Sequence, residues 1–368
     1  MKPKRLLYLS PINWNFIKQR PQFLAAYAAE NGFDVTFLSR TPWGKGLFRS
    51  RRTAVSANLT AVNICVLPLA LRFPLIEKFN NFRLKRLIAG EKFDLIIVGD
   101  PRLAGVLPEN SAIPVFFDCM DNYPDFYSGK IREAIRRQQK RLCRLADGII
   151  VSARKLKDIL VREYAADPEK ITLIRNAAAD DFPEKAKVAA DGKITPADML
   201  YAGTVDHWFD WEAVVGFARR YPERSIRIAG PLAVPPPKNL PENIELYGKV
   251  PHSQIPGLIR NAKLMIIPFV KNPLIEAVDP VKLYEYLSLG KRVLSAYWEE
   301  LENFQPEPRL IFYSDSGDFA GKAAALLDNS PETDDTPDAG FHAKNNWSTR
   351  GKCLTDFINL KIEEKYSR

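Results

Sequence analysis

Short apolar runs return along this chain at intervals that leave room for a helix between them, and this rhythm restricts the fold more than any other feature. Runs at residues 5–9, 33–38, 94–98, 115–117, 148–152 and 171–177 are rich in Ile, Leu, Val and Phe, as buried strands are. Between them, 20–27, 129–145 and 153–164 carry the composition and spacing of helices, the first with Pro21 at its head and Gly32 beyond its end. The rhythm restarts at 199–204 and continues through 226–229, 244–246, 264–270, 293–295 and 310–313, with helices expected at 255–260 and 318–327. Strands alternating with helices predict parallel sheets covered on both faces, an α/β chain. Two such series in 368 residues predict two domains, each large enough for its own core. The polar, aperiodic stretch 180–198 reads as the linker, 330–340 as an exposed acidic connector, and 347–366 as a final helix. The expected domains are therefore 1–178 and 179–345, with 346–368 as a C-terminal helix.

Composition narrows the class. Hydrophobic content of 46% with 26% charged residues is that of a soluble globular protein. No run of about 18 apolar residues and no signal-peptide pattern occurs, so neither a membrane span nor that route of export is expected. Cys65, Cys119, Cys143 and Cys353 are scattered and form no Cys-x-x-Cys pair, which fits reduced thiols and a cytoplasmic location. The net charge of +9 is uneven: residues 1–178 carry +14 and the remainder −5. A basic first half is drawn to an anionic surface, whether a cytoplasmic leaflet, a nucleic acid or a polyanionic acceptor. Its densest part mixes cations with aromatics: Lys45, Arg49, Arg51, Arg52, Arg72, Phe73, Phe79, Phe82, Arg83, Lys85 and Arg86. Residues 72–88 can be drawn as an amphipathic helix with Leu75, Phe79, Phe82 and Ile88 on one side. Such a helix either lies peripherally on an anionic bilayer or packs that side into its own domain.

The richest stretch chemically is 278–293. An apolar run ending at Pro268-Phe269 gives way to a loop and then to a helix, with Pro280 suited to its start and Gly290 to its end. Lys282 and Glu285 lie three residues apart on one face near the N-terminus, where free amides and the helix dipole favour an anion. A phosphate could bind Lys282 and the amides of Val281 and its neighbours, and a ribose diol could bind Glu285; a plain i,i+3 ion pair is the alternative. In the first half, the loop after residues 5–9 lacks Gly-x-Gly-x-x-Gly, which argues against a dinucleotide cofactor. It offers Trp14, Phe16, Lys18 and Arg20, able to stack on a sugar or a lipid-linked ligand and pair with its phosphate, or simply to anchor the loop. Asp118, Asp121 and Asp125 follow a buried strand, the place where open α/β sheets keep their chemistry. Asp118 or Asp121 can take a proton from a hydroxyl or steady a developing positive charge, and either can instead cap the next helix. Asp121 is the better placed of the two.

The run Pro268-Phe269 with Asp279-Pro280-Val281-Lys282-Leu283-Tyr284-Glu285-Tyr286 and Gly290 resembles the donor-binding segment of GT-B glycosyltransferases, and most of all glycosyltransferase family 4 and the teichuronic-acid and capsule-type transferases. The resemblance implies two Rossmann-like domains facing a central cleft, with the C-terminal helix returned to the first. It makes Glu285 the ribose ligand and places Asp279, Pro280, Val281 and Lys282 at the donor. Asp118-Cys119-Met120-Asp121 and the segment ending Asn176-Ala177 resemble the corresponding parts of the first domain. Gly203 and Thr204 stand where backbone comes close to a diphosphate, and Lys249 and Val250 at the turn that receives the nucleobase. Three positions depart from the family pattern: Ala277 replaces a glutamate, with Glu276 one step away; Ala177 replaces a glycine; and Val205 to Trp211 lacks the usual phosphate-binding arginine and lysine. Lys282, assisted by Lys271 or Arg20, is left to neutralise the phosphates.

No Asp-x-Asp, Walker loop, nucleophile elbow or zinc spacing occurs, so no metal site and no cofactor is expected, the nucleotide sugar being a substrate. The reading is a metal-independent hexosyltransferase moving sugar from a nucleotide sugar, UDP-linked by resemblance, to a hydroxyl of a glycan or lipid-linked acceptor in bacterial surface polysaccharide synthesis. A sugar-nucleotide epimerase of the same architecture, a non-catalytic sugar-binding protein and a nucleic-acid-binding protein are the rivals. The last leaves the Lys282 and Glu285 arrangement without a purpose.

Overall fold

The computed structural model describes residues 3–42, 50–70, 72–188, 196–329 and 336–367. Lys45 and Arg49 of the basic stretch lie outside these. The chain divides into two compact units, Met1–Arg175 with Arg350–Arg368, and Asn176–Thr349.

The first unit is an eight-stranded sheet. Its strands are β1 (Lys4–Ser10), β2 (Phe33–Pro42), β3 (Ser50–Ser56), β4 (Leu59–Val66), β5 (Leu95–Val98), β6 (Val115–Cys119), β7 (Gly148–Val151) and β8 (Ile171–Leu173), in the order β3-β4-β2-β1-β5-β6-β7-β8. All pairings are parallel except β3 with β4. Helices α1 (Arg20–Glu30), α2 (Pro74–Ala89), α3 (Gly129–Leu145) and α4 (Arg154–Tyr164) connect strands. The sequence reading of 40–86 missed the β3–β4 hairpin, whose outer strand exposes Arg51 and Arg52, a usual protection for a sheet edge. Because β1 lies between β2 and β5, the chain leaves β1 and β5 toward opposite faces and opens a crevice at their carboxyl ends. From Arg350 the C-terminal helix, Trp347–Tyr366, belongs to this unit. Gly351 makes that docking possible, since a Cβ there would stand 2.2 Å from Cγ of Tyr27. The Phe357 ring meets Phe116 edge-on and Lys365 pairs with Asp147 at 2.9 Å.

The second unit contains α5 (Phe182–Val188), β9 (Ala197–Ala202), α6 (Trp211–Arg220), β10 (Ile226–Ala229), β11 (Ile244–Gly248), α7 (Ile255–Arg260), β12 (Ala262–Ile267), α8 (Pro273–Glu276), α9 (Val281–Ser288), β13 (Val293–Ala296), β14 (Leu310–Tyr313), α10 (Ser316–Asp328) and α11 (Ala339–Lys344). Its six strands run parallel in the order β11-β10-β9-β12-β13-β14, the doubly wound arrangement whose switch point falls between β9 and β12. Two expectations need correcting. Part of the stretch read as linker is α5, which buries Phe182 and Ala186 and accepts from Arg260 through the Ala186 carbonyl. Part of the acidic connector, from Ala339, is α11, capped by the Asp338 side chain on the Phe341 amide.

Helix α9 shows how local chemistry sets an element. Pro280 is its N-cap, one position before the expected first turn, and Leu283 to Ser288 are all buried. At the far end the Lys291 amide bonds the Tyr286 carbonyl and the Gly290 amide bonds that of Leu287, closing the helix with Gly290 at φ +73°. A Cβ on Gly290 would also meet the Thr336 carbonyl at 2.2 Å, so only glycine fits there.

Candidate functional site

In the second unit the switch point gathers the ends of several strands. Gly203 follows β9, Gly230 follows β10, and Phe269 lies just past β12. The first two pack backbone to backbone: a Cβ on Gly230 would be 1.9 Å from the Gly203 carbonyl oxygen. The loop from Val205 to Trp211 is tied across the switch point by the Asp210 amide on the Pro268 carbonyl and the Val270 amide on that of Trp208, each at 2.7 Å. Thr204 presents its carbonyl to the Tyr201 hydroxyl at 2.7 Å.

Helix α9 points its N-terminus into this place. Lys282 is half-buried, and its ammonium lies 4.8 Å from the centre of the Phe269 ring and 5.4 Å from that of Tyr201. Burial pushes its pKa down to about 8, against the upward pull of Glu285. Among the described residues no side chain hydrogen-bonds or ion-pairs with that ammonium. The Cε of Lys282 lies 3.0 Å from where a Cβ on Gly203 would be, so a side chain there would push the lysine out of place. Glu285, buried on the same helix, has Oε1 3.4 Å from Nε2 of His252. His252 follows the Gly248-Lys249-Val250-Pro251 turn and stands 6.2 Å from the Phe182 ring. Lys282 and Glu285 are thus brought together at the switch point, and the turn carrying Lys249 and Val250 is linked to them through His252.

The other residues expected here divide. Lys271 is largely exposed and lies 3.6 Å from Glu276, so these two form a pair at the edge. Ala277 is 1% exposed. The Asp279 carboxylate is held within the fold, accepting from the Asn176 amide at 2.6 Å and the Tyr284 hydroxyl at 2.9 Å. It fixes the loop that precedes α9 instead of being offered outward. The sequence does not single out His252 or Tyr201, and it marks Phe269 only as a member of the Pro268-Phe269 run. Their only signal there was adjacency to motifs already marked.

In the first unit the strand β6 runs to Cys119 and so takes in Asp118, expected just past its end, while Asp121 follows it; the two aspartates have different surroundings. Asp118 is fully buried: Oδ2 accepts from the Tyr8 hydroxyl at 2.6 Å, and Oδ1 from Nε of Arg20 at 2.9 Å. Arg20, 2% exposed, spends a further donor on the Ile174 carbonyl at 2.7 Å. The expectations that Asp118 does chemistry and that Arg20 meets an acceptor are therefore corrected: together they brace β1, β6 and α1, because an unpaired charge at this depth is costly. Trp14 packs edge-on against Phe37 at 5.0 Å and stays half-exposed. Asp121 is half-buried, and among the described residues its carboxylate receives no hydrogen bond and no ion pair. Burial raises its pKa to about 7; Arg20 pulls the other way and Asp118 adds to the rise. A carboxyl that exchanges its proton near neutrality, at the carboxyl edge of a parallel sheet, can serve as a general base.

Comparison with known proteins follows this division. The Glycosyltransferase Family 4 profile matches residues 22–182, and a profile described as Glycosyl transferase-like matches 212–352. The teichuronic acid biosynthesis glycosyltransferase TuaH of Bacillus subtilis is 24% identical over 196 residues, and the match spans 49% of each chain, about half the length of that relative. Among solved structures, sucrose-phosphate synthase from Thermosynechococcus elongatus superposes with a TM-score of 0.76 at 13% identity, covering 97% of this chain and 98% of its own. The UDP-forming α,α-trehalose-phosphate synthase from Burkholderia xenovorans gives 0.72 at 12%, covering 96% and 100%. The E. coli trehalose-6-phosphate structure bound with UDP-2-fluoro glucose gives 0.65 at 12%, covering 96% and 99%.

Proposed function

We propose that this chain, whose fold is that of GT-B glycosyltransferases and whose first half matches the family 4 profile, is itself a glycosyltransferase, its second unit binding a UDP-sugar and its first unit the acceptor, a glycan or lipid-linked saccharide of a bacterial surface polysaccharide. The observation that carries the donor assignment is the Lys282 ammonium, half-buried over two rings, without a carboxylate partner among the described residues, and one helical turn from Glu285. Desolvating a cation without pairing it costs free energy, and a diphosphate at this place would return it. The Val281 and Lys282 amides, unpaired by helix geometry, add donors at the positive end of α9. Glu285 then takes the ribose hydroxyls, with His252 holding its carboxylate in position. Gly203 and Thr204 supply backbone for the diphosphate, and the turn at Lys249 and Val250 receives the base.

The leaving diphosphate is stabilised by these groups, without a metal ion. Asp121 accepts the proton of the acceptor hydroxyl, and Trp14 offers a face on which the acceptor sugar stacks. UDP is favoured by the UDP-forming and UDP-sugar-bound structural neighbours, and the polysaccharide role by the teichuronic acid relative. Reduced cysteines suit a cytoplasmic site of action. Calorimetric titration with UDP tests the donor site. Glu285→Ala and Lys282→Ala should each weaken binding by about 1.5–3 kcal/mol, as expected for charge-assisted hydrogen bonds. Unchanged affinity in both variants ends the assignment, and loss of turnover on adding a chelator ends the metal-independent mechanism.

A further inference from the structure

Helix α2 turns its Leu75, Phe79 and Phe82 side outward and does not pack it into its own domain. The side fixed to the fold is the other one, where Ile76, Leu87 and Ile88 are half-buried and Asn80, 3% exposed, brackets Leu67, accepting from its amide at 3.0 Å and donating to its carbonyl at 3.1 Å. Leu84 is buried beside it, and Arg83 donates to the Cys65 carbonyl at 2.9 Å. With that face anchored, Leu75, Phe79, Phe82 and Arg86 recur at helical spacing along the outward stripe. Leu75 is 79% exposed, Phe82 59% and Phe79 42%, and the turn before the helix adds Phe73 at 52% and Leu69 at 55%. Lys78 and Lys85 flank the stripe; they, Arg72 and Arg86 are exposed, and among the described residues none of the four side chains has a hydrogen bond or ion pair. Among the described residues no carboxylate stands on this face: Glu77 lies toward Arg40 on the other side, and Glu91 is paired with Arg5 and Arg52.

We propose that this face docks on the surface of an anionic lipid bilayer. Exposed apolar side chains in a row carry a standing cost in water, and a patch rimmed by cations fits the interfacial helix, whose rings and leucines enter the headgroup boundary while lysines and arginines meet lipid phosphates. Charge decides among occupants. A second copy of the chain across a two-fold axis would bring Lys78, Lys85 and Arg86 against their own duplicates. A nucleic acid would pair with the cations but leave Leu69 and Leu75, which cannot stack on bases, in water. The bilayer satisfies both halves of the patch. The inference is independent of the donor site, which lies in the other unit.

The test is co-sedimentation of the full chain with phosphatidylcholine vesicles, with and without phosphatidylglycerol. Binding should require phosphatidylglycerol and fall as salt is raised. Lys78→Gln/Lys85→Gln/Arg86→Gln should lower partitioning about a hundredfold, at about fivefold per charge. Phe79→Ser/Phe82→Ser should lower it by about tenfold or more with only a small fall in melting temperature, since both rings are exposed. Equal binding to neutral vesicles, or variants that bind as the parent does, would overturn the proposal. So would a Phe79→Ser/Phe82→Ser variant that changes sedimentation velocity or RNA binding while leaving vesicle binding intact, because the occupant would then be a second copy or a nucleic acid.

Discussion

Replacing Asp121 by Asn removes an ionisable group while keeping its shape, so the variant separates the free energy of the charge from that of the contacts. The carboxyl titrates near 7 in the folded chain against 3.8 when free. The folded state therefore holds the proton more tightly, and stability falls as pH rises through the window from about 4 to 7, then levels off. Asn has no such slope. At about 1.4 kcal/mol per pH unit, the variant should gain on the parent by roughly 2–3 kcal/mol at most between pH 5 and pH 8, and by about 4 kcal/mol at most over the whole window. Water reaching the half-exposed carboxyl lowers both figures. For a unit of this size the gain from pH 5 to pH 8 corresponds to roughly 5–10 °C in melting temperature, read by circular dichroism or calorimetry. Turnover should move the other way: kcat of the parent should rise with an apparent pKa near 7 and drop about 10²–10⁴-fold in Asp121→Asn at saturating donor and acceptor. Parallel stability curves for parent and variant would show that the carboxyl is not perturbed. Full activity in Asp121→Asn would remove it from catalysis, leaving Glu276 and the Trp14 loop as places to seek the base.

Two further outcomes follow from the geometry. Lys282, with its pKa near 8, must be protonated to hold a diphosphate, so UDP affinity should fall as pH rises above about 8 and Lys282→Met should abolish that dependence; a parent affinity flat to pH 10, followed by titration calorimetry, would contradict it. Asp118→Ala leaves Arg20 buried without its carboxylate and should cost about 3–5 kcal/mol in denaturant unfolding, whereas a loss under about 1 kcal/mol would mean that the brace carries little.

What the sequence determined by itself is what depends on neighbours along the chain. Strand and helix periods gave both doubly wound units, and Pro280 and Gly290 bounded α9, because propensity and capping act within a few residues. The same short range placed Lys282 and Glu285 on one helical face at the end of a strand. Tertiary structure decided everything that depends on which surface is covered. Leu75, Phe79 and Phe82 read as a side that could pack inward, yet the two hydrogen bonds of Asn80 to Leu67 turn them to solvent. Asp118 and Asp121 are alike in sequence context, yet one is hydrogen-bonded by Tyr8 and ion-paired with Arg20 from distant segments, while the other is desolvated without a partner among the described residues. His252 reaches Glu285 from 33 residues away, and no local pattern announces it. Burial and ion pairing are sums over three-dimensional neighbours, and those neighbours exist only once the sheets have formed.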